Sequence, residues 1–486
     1  MASAMRRIST GVEGLDDILE GGLAANRLYL IEGMPGSGKT TLAFQFLLEG
    51  ARQGERVLYV ALSETEEEIR AVAASHGWPL EGVSVMELAP SEDELDPGEQ
   101  YTVFHPSEVE LSETTKNILK EVERVKPARL VLDSLSELRL LAGNALRYRR
   151  QILALKQFFA GRGCTVLLLD DLTAAEHDLQ VRSIAHGALL LEHHTPGFGA
   201  PRRRLSVSKY RGSEFRGGQH DYVIRHGGLA IFPRLVAAEH RRKTPRERVP
   251  SGLAELDQLV GGGLERGTST MIQGAAGTGK STIAALFAAS AAARGEHATL
   301  FIFDESVNTL LSRMAGLGVD LQKHIDAGRL SVQPIDPAEL SPGEFAHRVR
   351  HAVEHNASTV VVIDSLNGYL MSMPDDKFLM VQLHELLSYL GQHAVASIVV
   401  AAHQGMLGVH MSAPVDISYL ADTVMLLRYF EAEGEIRQVI SVVKMRSGQH
   451  ERTLRELKIR DGRILVGQPL RDYTGVLTGV PQKARG

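Results

Sequence analysis

The sequence predicts an α/β protein with two tandem domains of one fold, each a mostly parallel, twisted sheet flanked by helices. Three observations lead to this prediction. The 486-residue chain repeats one long unit, each copy alternates short apolar strands with amphipathic helices, and a glycine-rich turn follows an early strand in both copies. Such alternation builds parallel sheets, because every parallel connection has to cross over the sheet.

The repeat consists of matching segments in the same order. RISTGVEGLDDILEGGL begins at Arg7 and RVPSGLAELDQLVGGGL begins at Arg248, and further along Lys39 matches Lys280. A unit this long is a duplicated domain rather than a solenoid repeat. We expect a first domain over residues 1–235, a basic linker over 236–247, and a second domain with a short C-terminal tail over 248–486.

The hydrophobic pattern places the elements within each copy. In the first copy it predicts strands over 27–32, 57–62, 129–132 and 165–169, and helices over 39–53 and 146–159. Apolar runs without alternation are typical of strands that are covered on both faces. The later segments 204–210 and 438–445 alternate with a period of two, so we expect each to belong to a β-hairpin at the edge of its sheet.

The linker prediction depends on a run of basic residues that includes Arg241, Arg242, Lys243 and Arg246. Such runs are usually solvated, and a solvated linker is the interpretation that we favour. The alternative is an arm that binds nucleic acid, since clustered cations also attract phosphate.

Composition narrows the function classes. Hydrophobic residues make up 44% of the chain and charged residues 23%, which is typical of a globular protein. With 53 basic and 59 acidic residues, the net charge of -6 gives no indication of a nucleic-acid partner. The single cysteine, Cys164, excludes an internal disulfide and a cysteine-based zinc site. No apolar run reaches the ~18 residues of a membrane span, so we expect a cytoplasmic protein without membrane association.

Each copy carries a P-loop pattern between a predicted strand and a predicted helix: GMPGSGKT from Gly33 and GAAGTGKS from Gly274. Glycines let backbone N–H groups converge on phosphate oxygens, the helix N-terminus adds its positive dipole end, and the lysine reaches the β- and γ-phosphates. A chance match or a relic loop is the alternative, which two loops at equivalent positions disfavour. The residues expected to bind ATP are Gly33, Gly36, Ser37, Gly38, Lys39, Thr40 and Thr41, with Gly274, Gly277, Thr278, Gly279, Lys280, Ser281 and Thr282.

A Mg²⁺ ion bound to nucleotide needs the loop hydroxyl and a carboxylate from a neighbouring strand end. Thr40 and Ser281 supply the hydroxyls. Asp133 and Asp364 each follow a short apolar run and precede Ser-Leu, so we assign them as the carboxylates. The alternative role of each Asp is to cap the following helix.

Hydrolysis also needs a group that orients or deprotonates the attacking oxygen. Glu64 and Glu305 follow the second predicted strand of their copies, and ligands sit at the carboxyl ends of strands in open α/β sheets. We therefore assign them as candidate bases. The alternative is that each glutamate caps the next helix.

Two pairs of cations complete the pattern. Lys209 and Arg211, like Lys444 and Arg446, are two residues apart and would share one face of a strand. They can contact phosphates bound to a neighbouring subunit, as an arginine finger does, or they can simply solvate a sheet edge.

These motifs together resemble the KaiC family of tandem RecA-like P-loop ATPases, over about residues 5 to 480. The resemblance implies six subunits in a double ring with ATP between neighbours, and trans phosphate contacts from Lys209, Arg211, Lys444 and Arg446. It also implies a nucleotide contact from His450, whose position in the first copy is occupied by Phe215.

The chain departs from the family pattern at two places. Family clock members pair two glutamates where this chain has Ser63–Glu64 and Asp304–Glu305, so the resemblance adds Asp304 to the catalytic set of the second copy and implies slower or differently activated hydrolysis in the first. Their adjacent Ser-Thr phosphorylation pair corresponds here to Ser418–Tyr419, which leaves Ser418 as the single candidate site for autophosphorylation.

The resulting hypothesis is an ATPase, with Mg²⁺ as cofactor, that hydrolyses ATP at the subunit interfaces of a homo-hexamer and acts as a regulatory switch toward unidentified protein partners. The first alternative is a DNA-dependent ATPase of recombination or repair, similar to RecA or RadA, which stimulation of turnover by DNA would distinguish. The second is a scaffold that holds ATP without hydrolysing it, which the complete Lys, Asp and Glu sets disfavour.

Overall fold

The computed structural model describes residues 6–88, 106–172, 179–240, 247–371, 379–403, 419–460, 462–478 and 481–483. The chain divides into two compact units, Met1–Arg234 and Leu235–Gly486. Every helix in the described ranges is too short or too polar to cross a bilayer.

The first unit alternates strands and helices through most of its length. Its strands are β1 (Arg7–Ile8), β2 (Leu23–Ala24), β3 (Leu28–Gly33), β4 (Val57–Ala61), β5 (Val83–Glu87), β6 (Arg129–Asp133), β7 (Thr165–Asp171), β8 (Gly187–His194), β9 (Arg202–Tyr210), β10 (Gln219–Arg225) and β11 (Gly228–Phe232). Its helices are α1 (Leu15–Ile18), α2 (Lys39–Arg52), α3 (Glu66–Ser75), α4 (Pro106–Val125), α5 (Leu135–Ala142), α6 (Ala145–Phe159) and α7 (Leu179–Ile184).

The main sheet of the first unit has the order β5-β4-β6-β7-β3-β8-β9-β10-β11. The strands from β5 to β8 pair in parallel, and β9, β10 and β11 extend the sheet with antiparallel pairs. The predicted α/β class with a mostly parallel sheet is confirmed. The predicted hairpin at 204–210 is confirmed, since β9 pairs antiparallel with the next strand, β10, but the edge position is wrong, because β9 lies between β8 and β10.

The second unit repeats this plan. Its strands are β12 (Arg248–Val249), β13 (Leu264–Glu265), β14 (Ser269–Gly274), β15 (His297–Ile302), β16 (Leu330–Pro334), β17 (Ser358–Asp364), β18 (Ala396–Ala402), β19 (Thr423–Ala432), β20 (Glu435–Met445), β21 (Arg455–Arg460), β22 (Arg463–Pro469), β23 (Tyr473–Thr474) and β24 (Gln482–Lys483). Its helices are α8 (Ala254–Leu259), α9 (Lys280–Ala293), α10 (Val307–Ala315), α11 (Leu321–Asp326), α12 (Pro342–Glu354), α13 (Leu366–Met371) and α14 (Leu379–Gln392).

The sheet of the second unit has the order β16-β15-β17-β18-β14-β19-β20-β21-β22, which matches the first sheet strand for strand. The strand predicted at an edge again lies inside, because β20 is flanked by β19 and β21. In both units the strand that leads into the glycine-rich loop occupies an inner position. It is therefore hydrogen-bonded to a neighbouring strand on both sides.

Two apolar layers hold that strand in the first unit. Tyr29 and Ile31 of β3 face the layer that contains α2, whereas Leu28 and Leu30 face the opposite layer. All four side chains are at most 5% exposed. The sheet therefore fixes the end of β3, and with it the start of the loop, on both faces.

The segment around the predicted start of the linker packs on the second unit. Leu235 and Ala237 belong to an apolar cluster of that unit, and the Ala237 backbone N–H donates to Glu385 Oε2 at 2.9 Å. A short 3₁₀ turn covers Ala237–His240. The basic run at 241–246 lies outside the described residues.

One buried histidine gives the first unit a pH-dependent stability. Burial, and to a lesser degree the charges of Arg234 and Arg216, lower the pKa of His220 to about 4. Its ring accepts from the Arg234 N–H at 2.8 Å and bonds to the Arg216 carbonyl at 2.9 Å. An unfolded chain would take up this proton below about pH 6.5, so stability falls as the pH drops from 6.5 toward 4.

We expect the histidine to account for roughly 3 kcal/mol of that loss. Urea unfolding followed by the fluorescence of Trp78, the chain's single tryptophan, measures it at pH 7 and pH 4.5. His220→Gln should flatten the pH dependence even if it lowers stability at both pH values. Equal slopes in the two proteins would contradict the assignment.

Candidate active sites

The first glycine-rich loop connects β3 to α2. Gly36 and Gly38 have φ angles of 79° and 94°, a region that glycine enters without strain. A Cβ atom on Gly33 would lie 2.4 Å from Ser37 Oγ, and one on Gly38 would lie 2.7 Å from Ile224 Cδ1. Tyr222 on β10 donates to the Ser37 carbonyl at 2.5 Å. A larger residue at Gly33 would therefore clash, and a residue other than glycine at Gly36 or Gly38 would strain the backbone.

The second loop, between β14 and α9, has the same conformation. Gly277 and Gly279 have φ angles of 78° and 94°, and a Cβ on Gly274 would lie 2.2 Å from the Leu427 carbonyl. Thr278 Oγ1 donates to the Ala275 carbonyl at 2.8 Å, and Gln438 of β20 donates to the Gly277 carbonyl at 3.2 Å. Both loops thus direct the N-terminus of a 14-residue helix toward the same end of their sheets.

The hydroxyl–aspartate pair predicted for a metal is assembled in the first unit. Thr40 Oγ1 donates to Asp133 Oδ2 at 2.9 Å, and Tyr59 donates to the same oxygen at 2.6 Å. Burial raises the pKa of Asp133, with the two hydrogen bonds opposing the shift. Ser134, rather than Asp133, occupies the N-cap position of α5, so the alternative of a capping aspartate does not hold here.

The second unit brings the equivalent pair, Ser281 and Asp364, to the lining of one cleft together with Lys280. Burial, with Glu305 and Asp304 nearby, raises the pKa of Asp364 to about 6, although Ser281 lowers it. The next residue along each loop helix, Thr41 or Thr282, is buried.

These oxygens fit a magnesium ion that is shared with a nucleotide. A hydroxyl and a carboxylate are hard ligands, and Mg²⁺ usually takes only one or two protein oxygens beside phosphate and water. The described residues include no group of three or more His, Cys, Asp or Glu that could hold a metal alone. Among the same residues, Ser37 Oγ and Glu64 Oε2 are buried without a hydrogen-bond partner, as expected where a polar ligand is to bind.

Glu64 lies just beyond β4, and burial raises its pKa, with smaller contributions from Asp133, Glu68 and Asp171. The cap of α3 is Thr65, which forms a reciprocal capping box with Glu68. Glu64 is therefore not a helix cap. A half-buried, unpaired carboxyl group with a raised pKa suits a group that accepts a proton.

Glu305 has different surroundings. Arg313 on α10 donates to Glu305 Oε1 at 2.6 Å and to Thr282 Oγ1 at 2.6 Å. Asp304 accepts a hydrogen bond from Ser365, and Ser306 caps α10. Glu305 is thus also not a cap, and it is tied by an arginine to the helix that follows the loop. The first unit has Val72 at the matching sequence position, so Glu64 lacks this restraint.

Asp171 was not predicted, and it contacts the loop lysine directly. It ends β7, and its Oδ1 lies 2.6 Å from Lys39 Nζ. Lys39 also donates to the carbonyls of Gly33 at 2.8 Å and Met34 at 3.2 Å. In the second unit Lys280 donates to the Ala275 carbonyl at 2.7 Å.

The four cations predicted to act in trans lie far from the loop of their own unit. Lys209 pairs in register with Ala188 near the start of β8, whereas Gly33 is beside Leu191 near its end. Ala188 and Leu191 are three residues apart along β8, so Lys209 and Gly33 are separated by roughly 10 Å in the strand direction. The Lys209 side chain extends farther away and donates to the carbonyls of Arg182 and Ser183.

The remaining predicted residues occupy related positions. Arg211 donates to the Ser183 carbonyl, Lys444 to that of Ala421, and Arg446 to that of Tyr419. His450 is half-buried in the connection between β20 and β21. Ser418 lies outside the described residues.

Comparison with known proteins finds a family match described as "ATPase: KaiC" over residues 8–236 and 249–471. The chain is similar to the circadian clock protein KaiC3 of Synechocystis sp., with 28% identity over 98% of this chain and 95% of that protein. It is also similar to the circadian clock oscillator protein KaiC of Synechococcus elongatus, with 26% identity over 99% of this chain and 92% of that protein.

Proposed function

Because the chain belongs to the KaiC family of ATPases, we propose that both units bind and hydrolyse Mg²⁺-ATP at seams between copies of the chain in a hexameric double ring. The observation that carries this proposal is the juxtaposition, in each unit, of a glycine-rich loop, a hydroxyl–aspartate pair and a strand-end glutamate. In this proposal the ring is a regulatory switch that protein partners recognise.

Each residue has a role in this reaction. The loop N–H groups and the lysine bind the β- and γ-phosphates, while Thr40 with Asp133 and Ser281 with Asp364 hold the cation. When bound, Mg²⁺ would neutralise charge on the phosphate oxygens. Glu64 and Glu305 orient a water molecule and accept its proton as its oxygen bonds to the γ-phosphorus, and the bond to the bridging oxygen breaks to release ADP.

The placement of the cations supports an arrangement of sites between subunits. Lys209, Arg211, Lys444 and Arg446 lie at the opposite end of the sheet from their own loops, so they cannot contact a nucleotide bound there. In a ring, that face meets the loop face of the next copy. The cations would then stabilise charge on the neighbour's phosphates.

Glu305→Gln and Glu64→Gln test the catalytic assignment. Each should lower the rate of phosphate release from ATP in its own unit by about 10²-fold, because a general base contributes at least that much, while nucleotide binding persists. To assign the loss to one unit, each change is made in a chain whose other loop lysine is alanine. Asp304→Asn is the companion variant for the second acid of the catalytic set, and we expect a smaller loss than for Glu305→Gln, since Asp304 is already bonded to Ser365. Unchanged turnover in both glutamine variants would contradict the proposal.

Autophosphorylation of Ser418 is the further activity that we propose from family membership. Intact-mass spectrometry after incubation with Mg²⁺-ATP should show one added phosphate per chain, and Ser418→Ala should remove it. An unchanged mass in the parent protein would limit the activity to hydrolysis. The same preparation, assayed with and without DNA, tests the alternative of a DNA-dependent ATPase, for which DNA would strongly increase turnover.

A further inference from the structure

Building on the proposed function, we propose that Asp171 weakens triphosphate binding in the first unit by competing with the β- and γ-phosphates for Lys39. The ammonium group has three N–H donors, and three acceptors already surround it: Asp171 Oδ1 and the carbonyls of Gly33 and Met34. Lys39 can therefore donate to a phosphate only after it releases one of these acceptors.

The second unit has no such competitor at the matching place. Gly33 pairs with Asp171 across β3 and β7, and Gly274 pairs with Ala402 across β14 and β18. Position 402 thus holds a methyl group where the first unit holds a carboxylate. The described part of the second unit contains no ion pair of Lys280, whose ammonium donates to the Ala275 carbonyl alone. Lys39 and Lys280 match in sequence, but their ammonium groups therefore have different acceptors before a phosphate binds.

Asp171 is the acceptor that a phosphate would displace. The Gly33 carbonyl belongs to the backbone at the end of β3, which is held between β7 and β8, and a Cβ atom on Gly33 would lie 2.6 Å from the Leu191 carbonyl. This backbone has less freedom to move than the Asp171 side chain. The Asp171 side chain is 28% exposed, so water can solvate it after release, and Ser136 Oγ, 3.2 Å from its Oδ2, keeps it close to the site.

The released carboxylate also remains near the bound phosphates as a like charge. It is close enough to Glu64 and Asp133 to contribute to the raised pKa of each. Two effects therefore oppose the binding of the β- and γ-phosphates, which are the phosphates that the loop lysine contacts. One is the cost of breaking the Lys39–Asp171 ion pair, and the other is the repulsion between Asp171 and the phosphates. Asp171 should therefore weaken the binding of di- and triphosphates and leave the binding of a monophosphate almost unaffected.

The test measures each site alone in the full chain by titration calorimetry with Mg²⁺ and AMP-PNP. Lys280→Ala isolates the first site, and Asp171→Ala or Asp171→Asn is added to it. We expect both to bind AMP-PNP about tenfold more tightly, a typical effect of one nearby charge, with the affinity for AMP unchanged. Asparagine keeps the size of the side chain and its bond to Ser136, which covers the case in which the alanine variant does not fold.

The reciprocal variant is Ala402→Asp in a Lys39→Ala chain, which should bind AMP-PNP at the second site about tenfold more weakly. Unchanged or weaker AMP-PNP binding in both Asp171 variants would overturn the role of Asp171 alone, as would a loss of turnover without tighter binding. If neither single-site parent bound AMP-PNP, the proposed function would fail, and the role of Asp171 with it.

Discussion

Replacing Lys280 by alanine should lower ATP turnover in the second unit by about 10³-fold or more and prevent phosphorylation of Ser418, because the lysine is the cation that reaches both terminal phosphates. Lys280 is 8% exposed at the base of the loop, and the other nearby cation, Arg313, is bound to Glu305. No other described side chain is placed to take its role. The measurement is the transfer of radiolabel from the γ-phosphate to the chain, together with phosphate release.

Lys280→Met is the matched control for packing, since it keeps the apolar stem and removes only the charge. Both variants should lose the turnover of the second unit and keep their thermal unfolding temperature in the absence of nucleotide. The equivalent change in the first unit, Lys39→Ala, should weaken ring assembly in ATP as measured by light scattering, because in the proposed ring the nucleotide lies between adjacent copies. Label that still reaches the Lys280→Ala protein would contradict the assignment of the second loop.

Arg446→Ala should lower turnover in the second unit by about 10³-fold, the lower range for an arginine that acts across an interface. The variant keeps its own loop, so it should still bind AMP-PNP. Mixing it with the Lys280→Ala protein before ATP is added should restore part of the activity. In a mixed ring, some seams combine the intact loop of one variant with the intact Arg446 of the other.

Lys458→Ala is the matched control for this prediction. Lys458 lies on the neighbouring strand β21, at the end of β20 that carries Gln438, and pairs with Glu456 at 3.2 Å, so its loss removes a cation that is distant from Arg446 along the strand. It should leave turnover unchanged and should not be needed for complementation. If the second unit stayed as inactive in the mixture of Arg446→Ala and Lys280→Ala proteins as in each component, a contact in trans would be excluded.

The sequence predicted the loops and the hydroxyl–aspartate pairs because their chemistry is local. A short stretch of sequence is enough to indicate glycines with positive φ, a lysine at the start of a helix and an Asp at the end of a strand. The cap of α3 is local as well, since Thr65 and Glu68 have capping-box spacing. That spacing assigns the cap to Thr65, so the sequence alone is enough to disfavour a capping role for Glu64.

The contacts of Asp171 and Arg313 depend on tertiary packing and could not be predicted in the same way. Asp171 ends an apolar strand, as Asp133 does. The second copy, however, has Ala402 at the matching position, so the repeat did not indicate a functional role for Asp171. Arg313 reaches Glu305 from a helix whose counterpart carries Val72. The inner position of β9 and β20 was missed because period-two patterning shows that a strand has two different faces, not how many strands lie beyond it.

Strand β20 has a consequence for how the sites of a ring would communicate. Gln438 near one end bonds to the Gly277 carbonyl of its own loop, and Lys444, six residues on, faces the other end of the sheet. A single hydrogen-bonded segment of roughly 20 Å therefore connects the loop of one unit to the cation that, in the proposed ring, would contact the neighbour's nucleotide. In the proposed ring this strand would couple adjacent sites, so the ring should bind nucleotide cooperatively, with a Hill coefficient that Gln438→Ala moves toward one.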